Sequence, residues 1–187
     1  KESMVAVVVP ILTLLLGALV GGVAKAIQDR YTVFQEARTI AVALRAELTS
    51  LVEECRDLGT IAMFDRTIEY LSTSSQDVQP DDFLEVPLVA DPFQVFDAHC
   101  GKIGLLGEAV KAVVATYGHA KSIVADLRFL PDRHKRLPLT RKQLIEHHQS
   151  LKNRFAKAGA CGEVAIAKLR EQEGRRFLSW SRQTSAN

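Results

Sequence analysis

Cysteine is scarce in this chain: Cys55, Cys100 and Cys161 are widely spaced and odd in number. There is no CxxC pair and no zinc-ligand spacing. That argues against a disulfide framework and fits a reducing compartment. Phosphate-cradling glycine loops, dinucleotide fingerprints and kinase patterns are missing too. Aromatic residues make up only 6%, too few for an obvious base-stacking surface. Charge of one sign is lacking as well. The net charge is +2 over 187 residues, so no global field draws the protein to nucleic acid. The only β-like run, Phe83–Val89, contains Pro87, which demotes it as a strand. What is left is helical periodicity, and the sequence predicts an all-α protein of one ordinary domain plus an appendage.

Long apolar runs are absent with one exception. "MVAVVVPILTLLLGALVGGVAKAI", Met4 to Ile27, meets no charge before Lys25. About 20 apolar residues in a helix span the hydrocarbon core of a bilayer. A signal peptide would need a basic start, a shorter core and a small-residue cleavage site. Here Glu2 offsets Lys1, and only a weak site follows Ala24 or Ala26. A buried core helix is the other bland alternative. The favoured expectation is a retained transmembrane helix over residues 1–27. Lys25, Arg30, Arg38 and Arg45 all follow the span, so the positive-inside rule places the bulk of the chain in the cytoplasm. Gly17 and Gly21 form a GxxxG pair, and Ala18 and Gly22 repeat the spacing one residue on. Small residues four apart share a face and let two membrane helices approach closely. Pro10 falls in the first turns, where it either kinks the helix or marks its start.

Beyond the span the apolar steps alternate between three and four. Phe34, Ala37, Ala41, Leu44, Leu48, Leu51, Cys55 and Leu58 draw a heptad stripe. The bland expectation is a helix packed in its own bundle. The sharper one is that equivalent helices of several subunits align through Phe34, Leu44, Leu48 and Leu51. Val42 and Val52 widen the stripe toward a bundle. The predicted layout is a heptad helix over 28–58, continuous with the span, inside a cytoplasmic bundle of about four or five helices over 28–187. A second helix resumes after Gly59 with Ile61, Phe64, Ile68 and Leu71. Ser72–Ala90 reads as a loop that could recruit a cytoplasmic partner. Asp91, Pro92 and Gln94 look like an N-cap, first turn and capping box. His99–Gly107 reads as a tight connection, Glu108–Leu127 as an amphipathic helix, and the stretch Arg128–Pro138 as its breaker. Thr140 and Gln143 form a second capping box. That next helix either continues through Gly159 and Gly162 or turns there, and a last amphipathic helix reaches about Trp180.

Candidate chemistry is sparse. His99 and Cys100 are adjacent in sequence, but adjacency does not join their side chains, and Cys100 is expected to be a packed small residue. His147 and His148 are neighbours on a helix and cannot chelate together, so no metal or cofactor is expected. Arg141 and His148 return to one helical face, a spacing that resembles the Arg–His pair of HEPN ribonucleases. That resemblance implies phosphate binding by Arg141 and proton transfer by His148. The alternative is an interior His148 in register with Leu144, Leu151 and Phe155. The basic run holding Arg133, Lys135 and Arg136 suits lipid phosphate or solvent better than RNA. Phe177 and Trp180 either pack on the bundle, the preferred placement, or reach a bilayer interface.

The block "PFQVFDAHCGKIGLLGEAVKAVVATYGHAKSIVADL" carries F-x-A-x-x-x-K-I-G-L-L from Phe96 to Leu106 and a Tyr117–Gly118 pair. It resembles a group of small bacterial single-pass membrane proteins over about a third of the chain. The resemblance implies a bacterial inner-membrane location and transfers no catalytic residue. The leading expectation is a non-enzymatic protein of the bilayer that assembles with its own copies. A ring of such subunits would perturb the membrane, as defence or toxin-like effectors do. A tethered ribonuclease and a passive scaffold are the alternatives.

Overall fold

The computed structural model describes residues 2–74, 91–136, 139–177 and 179–180; the side chains of 2–12 and 130–136 are not described. Helix α1 runs unbroken from Glu2 to Asp57. No proline or glycine falls between 23 and 58, so nothing in that stretch interrupts the backbone ladder. Gly59 then adopts φ 59°, a left-handed turn that an L side chain would strain. Helix α2, Thr60–Thr73, starts directly after it. The short helix α3, Gln94–His99, leads into 3₁₀ turns over Cys100–Ala109, broken at Gly107 with φ 55°. Helix α4 spans Val110–Arg136 and helix α5 spans Arg141–Gly174. No strand occurs among the described residues. The fold is all-α, with three long helices.

Helix α5 is the strut that unites the bundle, packing on α1, α2 and α4. Its inward residues divide in two. Leu144 meets Leu71, and Leu151 joins Phe64 and Ile123. Further along, Ala165 and Leu169 enter the main core with Ile40, Leu44, Leu48, Leu106 and Tyr117. Between the halves sits buried Gly162. A Cβ there would stand 3.1 Å from Val52 Cγ2 and 3.7 Å from Thr116 Cγ2, so the bare glycine lets α5 pass close to α1 and α4. The capping box is present: Gln143 N–H donates to Thr140 Oγ1, and Thr140 N–H to Gln143 Oε1.

Several expectations are corrected. The heptad stripe is filled by the chain itself: Phe34, Ala37, Ala41, Leu44 and Leu48 are buried and Leu51 packs at the edge of the same core. These residues are therefore the monomer's interior and are not exposed for aligning subunits. The stripe then runs out, and Cys55 and Leu58 lie exposed. Helix α4 runs past Pro131 and ends at Arg136, inside the stretch Arg128–Pro138 expected to break it. Of the two alternatives at Gly159 and Gly162, α5 continues through both, and it ends at Gly174.

The proposed cap at Asp91 also gives way. Helix α3 begins at Gln94, and Phe93 before it makes no side-chain cap. The acceptor comes from α1 instead. Glu47 Oε2 accepts from Val95 N–H at 2.6 Å, and Glu47 Oε1 lies 3.4 Å from Phe96 N. Tyr117 O–H also donates to Glu47 Oε1, at 2.9 Å. The orphan amides of a helix start, which a local Asp or Ser normally satisfies, are here satisfied by a carboxylate from another helix.

Candidate membrane-association surface

From Thr13 to Val33 every residue of α1 is exposed. Leu14, Leu15, Leu16, Leu19, Val20, Val23 and Ile27 are 52–74% exposed. Gly17, Gly21 and Gly22 have no neighbour within 4 Å of where a Cβ would lie, and Ala18 is exposed beside them. The small-residue face is therefore open. Among the described residues no helix is long and apolar enough to cross a membrane. The expected span, Met4–Ile27, falls partly on side chains 4–12, which lie outside the described residues. The described part, Thr13–Ile27, rises only about 22 Å against the roughly 30 Å of a hydrocarbon core.

Where α1 enters the bundle, four rings meet. Phe177 stands edge-on to Tyr31 at 5.5 Å between centroids and to Phe34 at 5.6 Å. Trp180 meets Phe34 at 5.6 Å. After α5 ends, the Ser179 and Trp180 N–H groups donate to the Arg176 carbonyl, a turn that folds both rings back onto α1. Trp180 is buried, as the packing expectation held, and it packs at the end of the bundle that faces the apolar part of α1. Lys25 and Arg30 on α1 and Arg176 before Phe177 are exposed, as is Asp29 between the first two.

The candidate chemical residues are placed elsewhere. His148 is fully buried on α5, with its ring edge toward Phe64 at 6.2 Å. Its Nδ1 lies 2.8 Å from the Leu144 carbonyl, which can only accept, so the proton sits on Nδ1. Nε2 is left as a buried acceptor without a partner among the described residues. Burial holds the imidazole below its ordinary pKa, partly opposed by the bond to Leu144. Arg141 is half-buried and donates to the Ser74 carbonyl. A ring with no exposed surface cannot reach a solvent-borne phosphodiester, so the fold gives His148 the interior role and not the nuclease role. Cys100 is exposed, not packed; Cys55 is exposed too but sits at the rim of an apolar cavity, and partial desolvation there, then Glu54, pushes its thiol up, which weakens it as a nucleophile. Among the described residues no three His, Cys, Asp or Glu side chains gather as metal ligands. The side chains of Arg133, Lys135 and Arg136 lie outside the described residues, as do residues 75–90 of the Ser72–Ala90 loop.

One half-open cavity of ≈ 160 Å³ lies along the last turns of the heptad stripe. Leu51, Cys55 and Leu58 line it, facing Phe93, Ile123 and Phe155. Thr116, a polar wall residue, already donates to the Ala112 carbonyl. The cavity suits an apolar group, and its lining offers no acid, base and nucleophile in concert.

Sequence reasoning missed the Glu47–Tyr117 pair. Tyr117 stacks on Phe96 at 4.0 Å, and burial, then the charge of Glu47, drives its phenol far above the ordinary range. The available signal was Glu47 itself, a carboxylate beside the stripe residues Leu44 and Leu48.

The arrangement defines an all-helical bundle whose longest helix extends out of it with an exposed apolar surface. Comparison with protein-family models, with curated proteins and with solved structures gives no match to this chain.

Proposed function

We propose that this chain is a single-pass membrane protein whose helical bundle is held at the cytoplasmic face of a bacterial inner membrane. The observation that carries this reading is the exposed apolar surface of α1 from Leu14 to Ile27, which no part of the bundle covers among the described residues. A row of exposed leucines and valines on a free helix is unfavourable in water and favourable in lipid. The charges that follow it, Lys25, Arg30, Arg38 and Arg45, set the orientation. Self-association belongs to the open Gly17–Gly21 face. Because the heptad stripe serves the monomer's own core, the subunits meet inside the bilayer and not along 28–58.

The test is membrane retention of the full chain. The protein should stay with membranes through alkaline carbonate extraction. Leu16→Arg with Leu19→Arg should release it, because charges at mid-span cost about 2.5–3.5 kcal/mol each. A wild-type protein that washes off with carbonate would overturn the reading.

A further inference from the structure

Resting on that membrane reading, we propose that the turn carrying Phe177 and Trp180 is a second membrane contact, seating the bundle on anionic phospholipid headgroups. The turn lies outside the three hydrophobic clusters that hold the helices together. It docks instead on Tyr31 and Phe34, one and two turns above Ile27, the last residue of the apolar run. One turn is about 5.4 Å, so Tyr31 and Phe177 sit at headgroup depth if Ile27 marks the hydrocarbon edge. Tyr31 is 48% exposed and Ile27 54%, so the face joining the rings to the apolar run is open. The exposed Tyr31 suits this depth because its ring is amphipathic, while Trp180 is buried against Phe34 and holds the turn on α1.

The charges complement an anionic surface. Lys25 and Arg176 are exposed, Lys25 before Tyr31 on α1 and Arg176 beside Phe177 in the turn, with the carboxylate of Asp29 between Lys25 and Tyr31. Arg175 is engaged by Glu108 at 3.7 Å and stays with the bundle. Long basic side chains at this depth reach phosphate while their stems lie on apolar surface. The occupant is therefore an anionic bilayer surface, continuous with the anchor, and not a soluble ligand.

Trp180 is the chain's single tryptophan, so its emission reports on this turn alone. The full-length protein is reconstituted in phosphatidylcholine vesicles with or without phosphatidylglycerol, and headgroup-spin-labelled lipid is added. Trp180 emission should fall, and fall severalfold more with phosphatidylglycerol present. Lys25→Gln with Arg176→Gln should reduce the loss to that in neutral vesicles while the circular dichroism stays unchanged. Emission indifferent to the label, in a protein retained through carbonate, would overturn this contact and leave the anchor standing. An equal loss in both lipids would overturn the anionic preference. Release by carbonate would mean that the anchor reading itself has failed.

Discussion

Glu47 is a half-buried carboxylate with two backbone amides and a phenol turned toward it. It ties α1 to the start of α3 and to the middle of α4, and removing it strands all three donors. Glu47→Ala is expected to cost about 3 kcal/mol, read as a lower urea midpoint of the helical signal. Tyr117→Phe should cost only about 1 kcal/mol, because Glu47 keeps its amides. Equal costs for the two variants would show that the carboxylate does not cap α3. His148 gives a pH signature. Its pKa is lowered in the folded chain, so between that value and the ordinary 6.5 the unfolded state binds more protons. Stability should therefore be full above pH 6.5 and decline as pH falls below it, by at most about 1.4 kcal/mol per unit from this one group. Phe64 stands against the ring and the Leu144 carbonyl bonds it; the ion pairs on the same stretch of α5 are Lys152–Asp65, across to α2, and Lys142–Glu146. His148→Leu should flatten this part of the profile, seen in paired urea titrations at pH 5 and 7.5.

Among the elements, α5 depends on being thin where it crosses its neighbours. Gly162→Leu should cost about 1–3 kcal/mol, because its side chain must displace Val52 and Thr116. Gly159 meets nothing within 4 Å, and Gly159→Ala should gain up to about 1 kcal/mol from helix propensity. If both substitutions shift the midpoint alike, the close crossing is not what Gly162 provides. The same contrast explains what the letters could reveal. The register of Phe34, Ala37, Ala41, Leu44 and Leu48 was legible because a buried helix face repeats locally. What fills that face was not legible, since α4, α5 and the 3₁₀ turns come from 50 to 130 residues away. Thr140 and Gln143 were readable as a cap because donor and acceptor lie three apart. The cap of α3 was not, because its acceptor is Glu47 and local spacing pointed to Asp91. Gly159 and Gly162 left a turn and a continuous helix equally open, and the close crossing of Gly162 by Val52 and Thr116 shows only in the fold. As for the candidate site, the apolar run and its small-residue face were plain in the sequence. The ring cluster was not, because Tyr31 and Phe177 are brought together only by the whole length of the fold.

As a whole molecule, the chain divides into a bundle that satisfies itself and a helix that does not. Gly17→Ile with Gly21→Ile should leave the bundle's helical signal intact and shift the protein in mild detergent from oligomer to monomer by native mass spectrometry. An oligomer that survives the double substitution would remove that face from the assembly. The division has a mechanical side. Helix α1 is one rod of 56 residues, about 84 Å long, and no break separates its exposed part from the part that forms the core. Torque has nowhere to dissipate between the two. If the exposed half tilts or rotates, Leu44 and Leu48 turn with it, and the bundle packed on them must follow as one body. On the proposed membrane reading the helix is a lever with its handle in the bilayer, and a change in membrane thickness or subunit contact would reach Asp57 as displacement, without a hinge to relay it.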